Sequence, residues 1–304
     1  MSSYSAFFER YVLKDIEPVR SLAVDAQLVR AGALRRGAAS RLYKTADRPH
    51  AVVLALHGFT AGVWQFDELA STLVNAGFAV FAPRLPGHGC LQEGRETAVN
   101  LPCSGAAASY RAFADRALRE ACDIAAAHGG ASVDVVGFSA GGTLACDLLQ
   151  RRGSQIHRAV LLAPFFSLAG AAKRAFVHTA TACGSLVARG FDHVPVGGQG
   201  RRRDLNLRVG QVLALATFAR SVRACRTPLA PPTRIIVNCS DQVVRRRCIE
   251  TFFRRRCRGA PHALVHIPAF LKVPHAALSP EEYSDSPTRA YLHELIVAHL
   301  QIPP

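Results

Sequence analysis

The sequence predicts an α/β fold: a mostly parallel central sheet flanked by helices, with a helical cap inserted between two strands. Three observations carry this. Short β-type runs alternate with amphipathic segments of helix length, the pattern of strands joined by crossover helices. Several runs are apolar at nearly every position, which strands covered on both faces require. One interval, between Pro164 and Pro228, breaks the rhythm with no convincing strand and with apolar helical stretches around a polar GGQGRRRDLN.

The expected strands are 40–45 (SRLYKT), 51–57 (AVVLALH), 78–83 (FAVFAP), 132–137 (SVDVVG), 157–164 (HRAVLLAP), 233–239 (TRIIVNC) and 263–268 (ALVHIP). Helices are expected at about 64–76, 108–128, 140–152, 243–257 and 287–301. Residues 1–38 precede the first strand and read as an N-terminal helical extension. Residues 39–164 and 228–304 then form the core, and 165–227 the cap or lid over the strand ends, where open α/β sheets bind ligands.

Composition narrows the function classes. At 304 residues, with 49% apolar and 19% charged residues, the chain can bury a large core. No apolar run reaches the roughly 18 residues of a membrane span. Glu9, Asp15 and Glu17 stand where an export signal would be basic and then apolar, so a cytoplasmic location is expected. Nine cysteines, without a Cys-x-x-Cys pair, suggest neither a fully paired disulfide framework nor a zinc site. The formal charge of +15 is carried by arginine, since only Lys14, Lys44, Lys173 and Lys272 are lysine. The densest arginine runs are 201–203, 245–247 and 254–256. The last two share the segment VVRRRCIETFFRRRCRG, where Ile249, Phe252 and Phe253 recur at helical spacing, so an amphipathic helix with a solvated basic face is expected and a nucleic-acid partner is not.

The chemistry centres on Gly137-Phe138-Ser139-Ala140-Gly141, which fits Gly-x-Ser-x-Gly at a change from strand to helix. An abrupt turn forces the serine into strained backbone angles and leaves no room for side chains beside it, hence glycine on both sides. The hydroxyl then stands at the amino end of a helix, whose dipole favours developing negative charge. A serine hydroxyl needs a base, and the base an orienting carboxylate. Asp241 directly follows the strand TRIIVNC, whereas Asp147 lies inside a helix and Asp192 and Asp204 fall in the cap. Of twelve histidines, His275 stands in a loop past the last strand, while His262 and His266 flank or occupy that strand and His293 and His299 fall in the final helix. Oxyanion donors are expected at the N–H of Ala140 and, from the glycine loop LALHGFTAG, at that of Phe59.

These residues sit in five ordered motifs: HGFTAG (57–62), FAPRLPGHG (81–89), GFSAGG (137–142), SDQVV (240–244) and PHAALSPEE (274–282). Together they resemble the α/β-hydrolase superfamily, in particular bacterial carboxylesterases and monoacylglycerol lipase-like serine hydrolases, from residue 40 onward. The resemblance implies Ser139 as nucleophile, Asp241 as acid, His275 as base and an oxyanion hole of Phe59 and Ala140. One departure stands at NCSD, where many relatives have a glycine shortly before the acid.

The expected activity is therefore hydrolysis of carboxylic esters, short to medium acyl esters or monoacylglycerol-like lipids, through an acyl-enzyme. No metal or organic cofactor is required, the substrate is a small-molecule ester, and transient lipid contact is left open. Thioester or amide and peptide hydrolysis on the same fold, or a binding protein without turnover, remain alternatives. Plainer roles also stay open: Ser139 at a turn, Asp241 as a helix N-cap, and His275 packing the last helix. His57 and His88 read as structural hydrogen-bonders. Trp64, Phe165 and Phe166 are candidates for the acyl pocket, with Phe176 and Phe191 beside them, but all five also suit ordinary packing.

Overall fold

The computed structural model describes residues 19–45, 48–96, 101–102, 105–171, 194–195, 206–207, 209–258 and 261–301. Seven strands form one sheet: β1 (Arg41–Tyr43), β2 (Ala51–Leu56), β3 (Ala79–Ala82), β4 (Ser132–Phe138), β5 (Ala159–Leu162), β6 (Thr233–Asn238) and β7 (Ala263–Ile267). Each lies within a residue or two of its expected range. The order across the sheet is β1-β3-β2-β4-β5-β6-β7; β1 runs antiparallel to β3 and every other pair is parallel. Every residue of β2, β3 and β5 is buried, which accounts for their unbroken apolar sequences.

The helices are α1 (Arg20–Arg30), α2 (Asp67–Asn75), α3 (Ala106–Ala127), α4 (Ala140–Arg152), α5 (Val209–Ala224), α6 (Arg246–Arg256) and α7 (Ser286–Leu300). Two groups pack on the sheet, α2 with α7 and α3 with α4; α5 lies against α3 and α4, and α6 packs on β6. In α6, Ile249 and Phe252 are buried beneath a solvated arginine face, as the helical spacing implies. Two short pairings escaped the periodicity: a hairpin of Leu91–Gln92 with Arg95–Glu96, and Val194–Pro195 with Asn206–Leu207, the latter in the interval where no strand is expected. Two residues a side are too few to leave an alternation in the sequence.

Helix α5 lies inside 165–227, yet Leu215, Phe218, Ala219 and Val222 belong to the main core, and the Phe218 ring centroid is 5.3 Å from that of Tyr110 in α3. Phe165 and Phe166 are likewise core residues, and Phe166 stacks on Phe252 of α6 with centroids 4.5 Å apart. Their apolar character is used in packing, which sequence alone does not separate from a ligand wall. Most of the interval between them, including Phe176, Phe191, Asp192 and Asp204, lies outside the described residues, as do residues 1–18. Within residues 19–38, Arg20–Arg30 form α1.

The strand order dictates where a ligand can enter. The chain moves from β2 outward to β3 and then back across β2 to β4, so the connections leaving β2 and β4 diverge. Their carboxyl ends are level, with Leu56 opposite Gly137, and open the crevice in which parallel sheets place their sites.

The turn out of β4 is tightly packed. A Cβ on Gly141 would lie 1.9 Å from the Leu56 carbonyl oxygen, and one on Gly137 2.7 Å from that of Gly141. Gly141→Ala should therefore destabilise the protein by about 3 kcal/mol in urea unfolding. Gly37→Ala, with nothing within 4 Å, should stay within about 0.5 kcal/mol.

On α7, burial holds the His299 imidazole down at about 4, below its ordinary 6.5, while Nε2 donates to the Pro232 carbonyl at 3.3 Å. A histidine depressed on folding stabilises the protein above its unfolded value and loses that contribution as pH falls. Unfolding free energy should drop by about 3 kcal/mol between pH 6.5 and 4 on this account. His299→Gln, which keeps a donor but cannot titrate, should flatten that part of the curve.

Candidate active site

Ser139 joins β4 to α4 with φ 53° and ψ −116°, a left-handed conformation that costs a non-glycine residue of order 1–3 kcal/mol. Its backbone is held at both ends. The N–H donates to the Leu162 carbonyl at 2.9 Å, and the carbonyl accepts from Phe165 N–H at 3.0 Å and Thr143 N–H at 3.1 Å. Ala163, also left-handed at φ 42°, turns the end of β5 so that Phe165 reaches the serine. The fit of Gly137 and Gly141 agrees with the expectation that glycine flanks the serine for clearance.

The structure brings Ser139, His275 and Asp241 together. His275 Nε2 lies 2.8 Å from Ser139 Oγ, and His275 Nδ1 lies 2.6 Å from Asp241 Oδ2. A buried carboxylate can only accept, so Nδ1 carries the proton and Nε2 is left as acceptor for the serine hydroxyl. The Asp241 side chain is 1% exposed and that of His275 14%, so their bond is shielded from water. The second oxygen, Asp241 Oδ1, accepts from Val243 N–H at 2.7 Å and Val244 N–H at 3.0 Å. The carboxylate thus also organises its own loop, close to the capping alternative, but the helix begins later and its N-cap is Arg245.

That loop is pinned from two sides. Residues 167–169 pair with 243–245 through Ala169 N–H to Val243 O and Arg245 N–H to Ser167 O, both 2.8 Å. On the other side, the departure NCSD acquires a purpose. Asn238 Nδ2 donates to the carbonyls of Val273 at 2.5 Å and Pro274 at 3.2 Å, and Ser240 Oγ lies 2.8 Å from both Asn238 Oδ1 and Val273 O. Asn238 and Ser240 therefore join the aspartate loop directly to the histidine loop. The missing glycine is visible in the sequence, whereas this bridge arises only from the fold.

The candidate oxyanion donors lie on the adjacent connections. Ala140 opens α4, so its N–H has no partner within the helix. Phe59 follows Gly58, whose Cβ, if present, would lie 3.1 Å from the Phe138 ring and 3.5 Å from Ser139 Cβ. Three side chains hold this loop. Gln65, fully buried, accepts from Gly58 N–H at 3.2 Å and donates to Glu282 at 3.2 Å. His57 Nε2 accepts from Leu85 N–H at 3.0 Å, so its Nδ1 carries the proton and donates to the Gly58 carbonyl at 2.9 Å. His88 Nε2 bonds the Phe59 carbonyl. The two histidines are structural hydrogen-bonders, as the sequence suggested; Gln65 was missed because a lone glutamine carries no motif.

Trp64, a pocket candidate, packs instead with Leu34 and Ala38 of the N-terminal segment, under the Arg35 guanidinium 4.4 Å from its ring centroid. This segment reaches the site through polar contacts. Buried Asp25 of α1 accepts from Arg84 at 2.6 and 3.0 Å and from Ser40 N–H and Oγ at 2.8 and 2.7 Å. Arg84 Nη1 donates in turn to the His88 carbonyl at 3.0 Å. Among the described residues no group of three or more histidine, cysteine or acidic side chains is placed to hold a metal, and no helix is long and apolar enough to cross a membrane.

Residues 47–206 match the family described as serine aminopeptidase, S33. No curated protein sequence matches the chain. Among solved structures, a soluble variant of the monoglyceride lipase of Saccharomyces cerevisiae superposes with a TM-score of 0.66 at 15% identity, over 86% of this chain and 91% of its own. The monoacylglycerol lipase of Paleococcus ferrophilus gives 0.63 at 15%, over 86% and 98%. A structure from work on the metagenome-derived lipolytic enzymes LipS and LipT gives 0.62 at 17%, over 88% and 99%. Likenesses at such identities establish the fold, which is that of the α/β-hydrolases.

Removing the Asp25 carboxylate leaves the Arg84 guanidinium buried without its partner. Asp25→Ala should lower stability by about 3–5 kcal/mol in chemical unfolding. Arg84→Met, which removes the charge while keeping bulk, should cost less in combination with Asp25→Ala than the sum of the two single changes.

Proposed function

Because the chain belongs to the serine aminopeptidase S33 family of α/β-hydrolases, we propose that it is a serine hydrolase cleaving carboxylic esters of small-molecule substrates through an acyl-enzyme. The observation that carries the reading is the continuous relay from Asp241 Oδ2 through His275 to Ser139 Oγ, with bonds of 2.6 and 2.8 Å. In this reading His275 Nε2 takes the hydroxyl proton as Ser139 Oγ attacks the ester carbonyl. Asp241 stabilises the imidazolium through Nδ1–H without itself being protonated. The tetrahedral oxyanion is held by the N–H groups of Phe59 and Ala140, at the positive end of α4. Imidazolium then protonates the departing alcohol, and water repeats the sequence on the acyl-serine.

The fixed surroundings support this assignment. The donors need no reorganisation during reaction because His57, Gln65 and His88 already hold the loop that carries one of them. The lipases among the structural neighbours support an ester as the scissile group. The family description favours a second reading, removal of an amino-terminal residue from a peptide. The same relay would serve an amide, with the leaving amine protonated in place of the alcohol.

Labelling with a fluorophosphonate probe tests the nucleophile: the wild-type chain should react and Ser139→Ala should not, and labelling that survives the substitution would place the nucleophile elsewhere. Asp241→Asn should lower kcat by about 10⁴-fold with little change in thermal stability; near-normal turnover would remove it from the relay. The bond is decided by rates on p-nitrophenyl acyl esters against aminoacyl p-nitroanilides. Esters should be preferred, and preference for the anilides would establish the peptidase reading.

A further inference from the structure

We propose that the cleft between α5 and α6 is a binding site for a phosphate group, such as that of a phosphomonoester or diphosphate, separate from the Ser139 relay. The cleft encloses about 270 Å³ and is lined by Arg223 of α5 together with Arg245, Arg247, Arg255 and Arg256 at and along α6. Arg247, Thr251 and Arg255 recur every fourth residue, so they stand on one line of α6, while Cys248, Phe252 and Arg256 form the neighbouring line. The helix spacing thus aims two ranks of side chains at the same space, and Arg223 closes it from α5, with Nη1 3.3 Å from Cys248 Sγ.

Among the described residues the charge in the cleft is uncompensated. No carboxylate lines it, and among the described residues none of the five guanidinium groups forms an ion pair. The sole acidic residue of α6, Glu250, faces Arg246 and His266 instead. Arg256 is spent on carbonyl groups, those of Arg223 and Arg255, and its Nε is buried without a partner. Like charges crowded on one helix face repel, and an anion placed among them reverses the sign of that energy. Guanidinium forks pair with phosphate oxygens two bonds at a time, and Thr251 adds a hydroxyl at the wall.

The shape selects the class of ligand. A half-open cleft at the small end of ligand pockets suits one or two phosphate groups and the first atoms beyond them. An extended strand of nucleic acid would call for a long basic groove with aromatic platforms, whereas Phe252, the aromatic residue lining the cleft, is buried against Phe166.

Titration of the intact protein with inorganic pyrophosphate at constant ionic strength tests the proposal, with calorimetry for affinity and peptide-level alkylation of Cys248 for location. Saturable binding is expected, with Cys248 protected and the rate at Cys225 unchanged. Arg223→Gln and Arg255→Gln should each weaken binding about tenfold. Arg254→Gln, on the same helix but outside the cleft, should leave it intact. Arg247→Gln repeats the test should either of the first two variants fail to fold. Binding that does not saturate, that is matched by chloride at equal ionic strength, or that leaves Cys248 unprotected would overturn the proposal. So would affinity for a short DNA duplex that depends on Arg223 and Arg255 while pyrophosphate fails to bind.

Discussion

Everything at the candidate site depends on the left-handed turn at Ser139. A strand ending in the sheet and a helix beginning above it must share one residue, and at φ 53° that residue projects its side chain out of both. The conformation is costly, and packing compels it. Gly141 lets α4 approach the carbonyl groups at the end of β2, and Gly137 lets the start of α4 close on β4, more closely than any Cβ would permit. Backbone bonds from Leu162, Thr143 and Phe165 then fix the serine on three sides. The same close approach puts Gly58 against Phe138 and Ser139, so the loop carrying Phe59 is positioned by the turn itself.

Around this turn, loops rather than regular elements carry the chemical groups, and each loop is made rigid by side-chain to backbone bonds. The aspartate loop is tied by Asp241 to its own amides and by Asn238 and Ser240 to the histidine loop. Histidine and glutamine side chains secure the loop after β2. The N-terminal segment adds an outer brace. Asp25 holds Arg84, Arg84 holds the carbonyl of His88, and His88 holds that of Phe59. A helix that carries no motif thereby supports a loop that does.

The arginine excess divides into two populations once the fold is known. Some guanidinium groups are neutralised within the protein, as in the pairs of Arg84 with Asp25, Arg151 with Asp115 and Asp147, and Arg289 with Glu68. Others gather at the α5–α6 cleft, where no counter-charge stands among the described residues. Composition sees one number for both. Burial and pairing separate a structural guanidinium, which fixes geometry, from one free to meet an anion.

The sheet, its principal helices and the residues that meet at the candidate site were legible along the chain, because these depend on local rules. Two-residue alternation or continuous apolar character marks strands, 3.6-residue spacing marks helices, and a glycine-flanked serine announces a sharp turn. Asp241 closely follows β6 and His275 stands in the loop after β7, so connectivity places both loops at one edge of the sheet. Packing partners were not legible. That α5 joins the core, that Trp64 meets Leu34 and Arg35, and that Phe166 meets Phe252 are contacts between segments distant along the chain. Only the tertiary structure decided them, together with the bridges from Asn238 and the chain from Asp25 to Phe59. An apolar or polar side chain states what kind of surroundings it needs, and the fold alone determines which residues supply them.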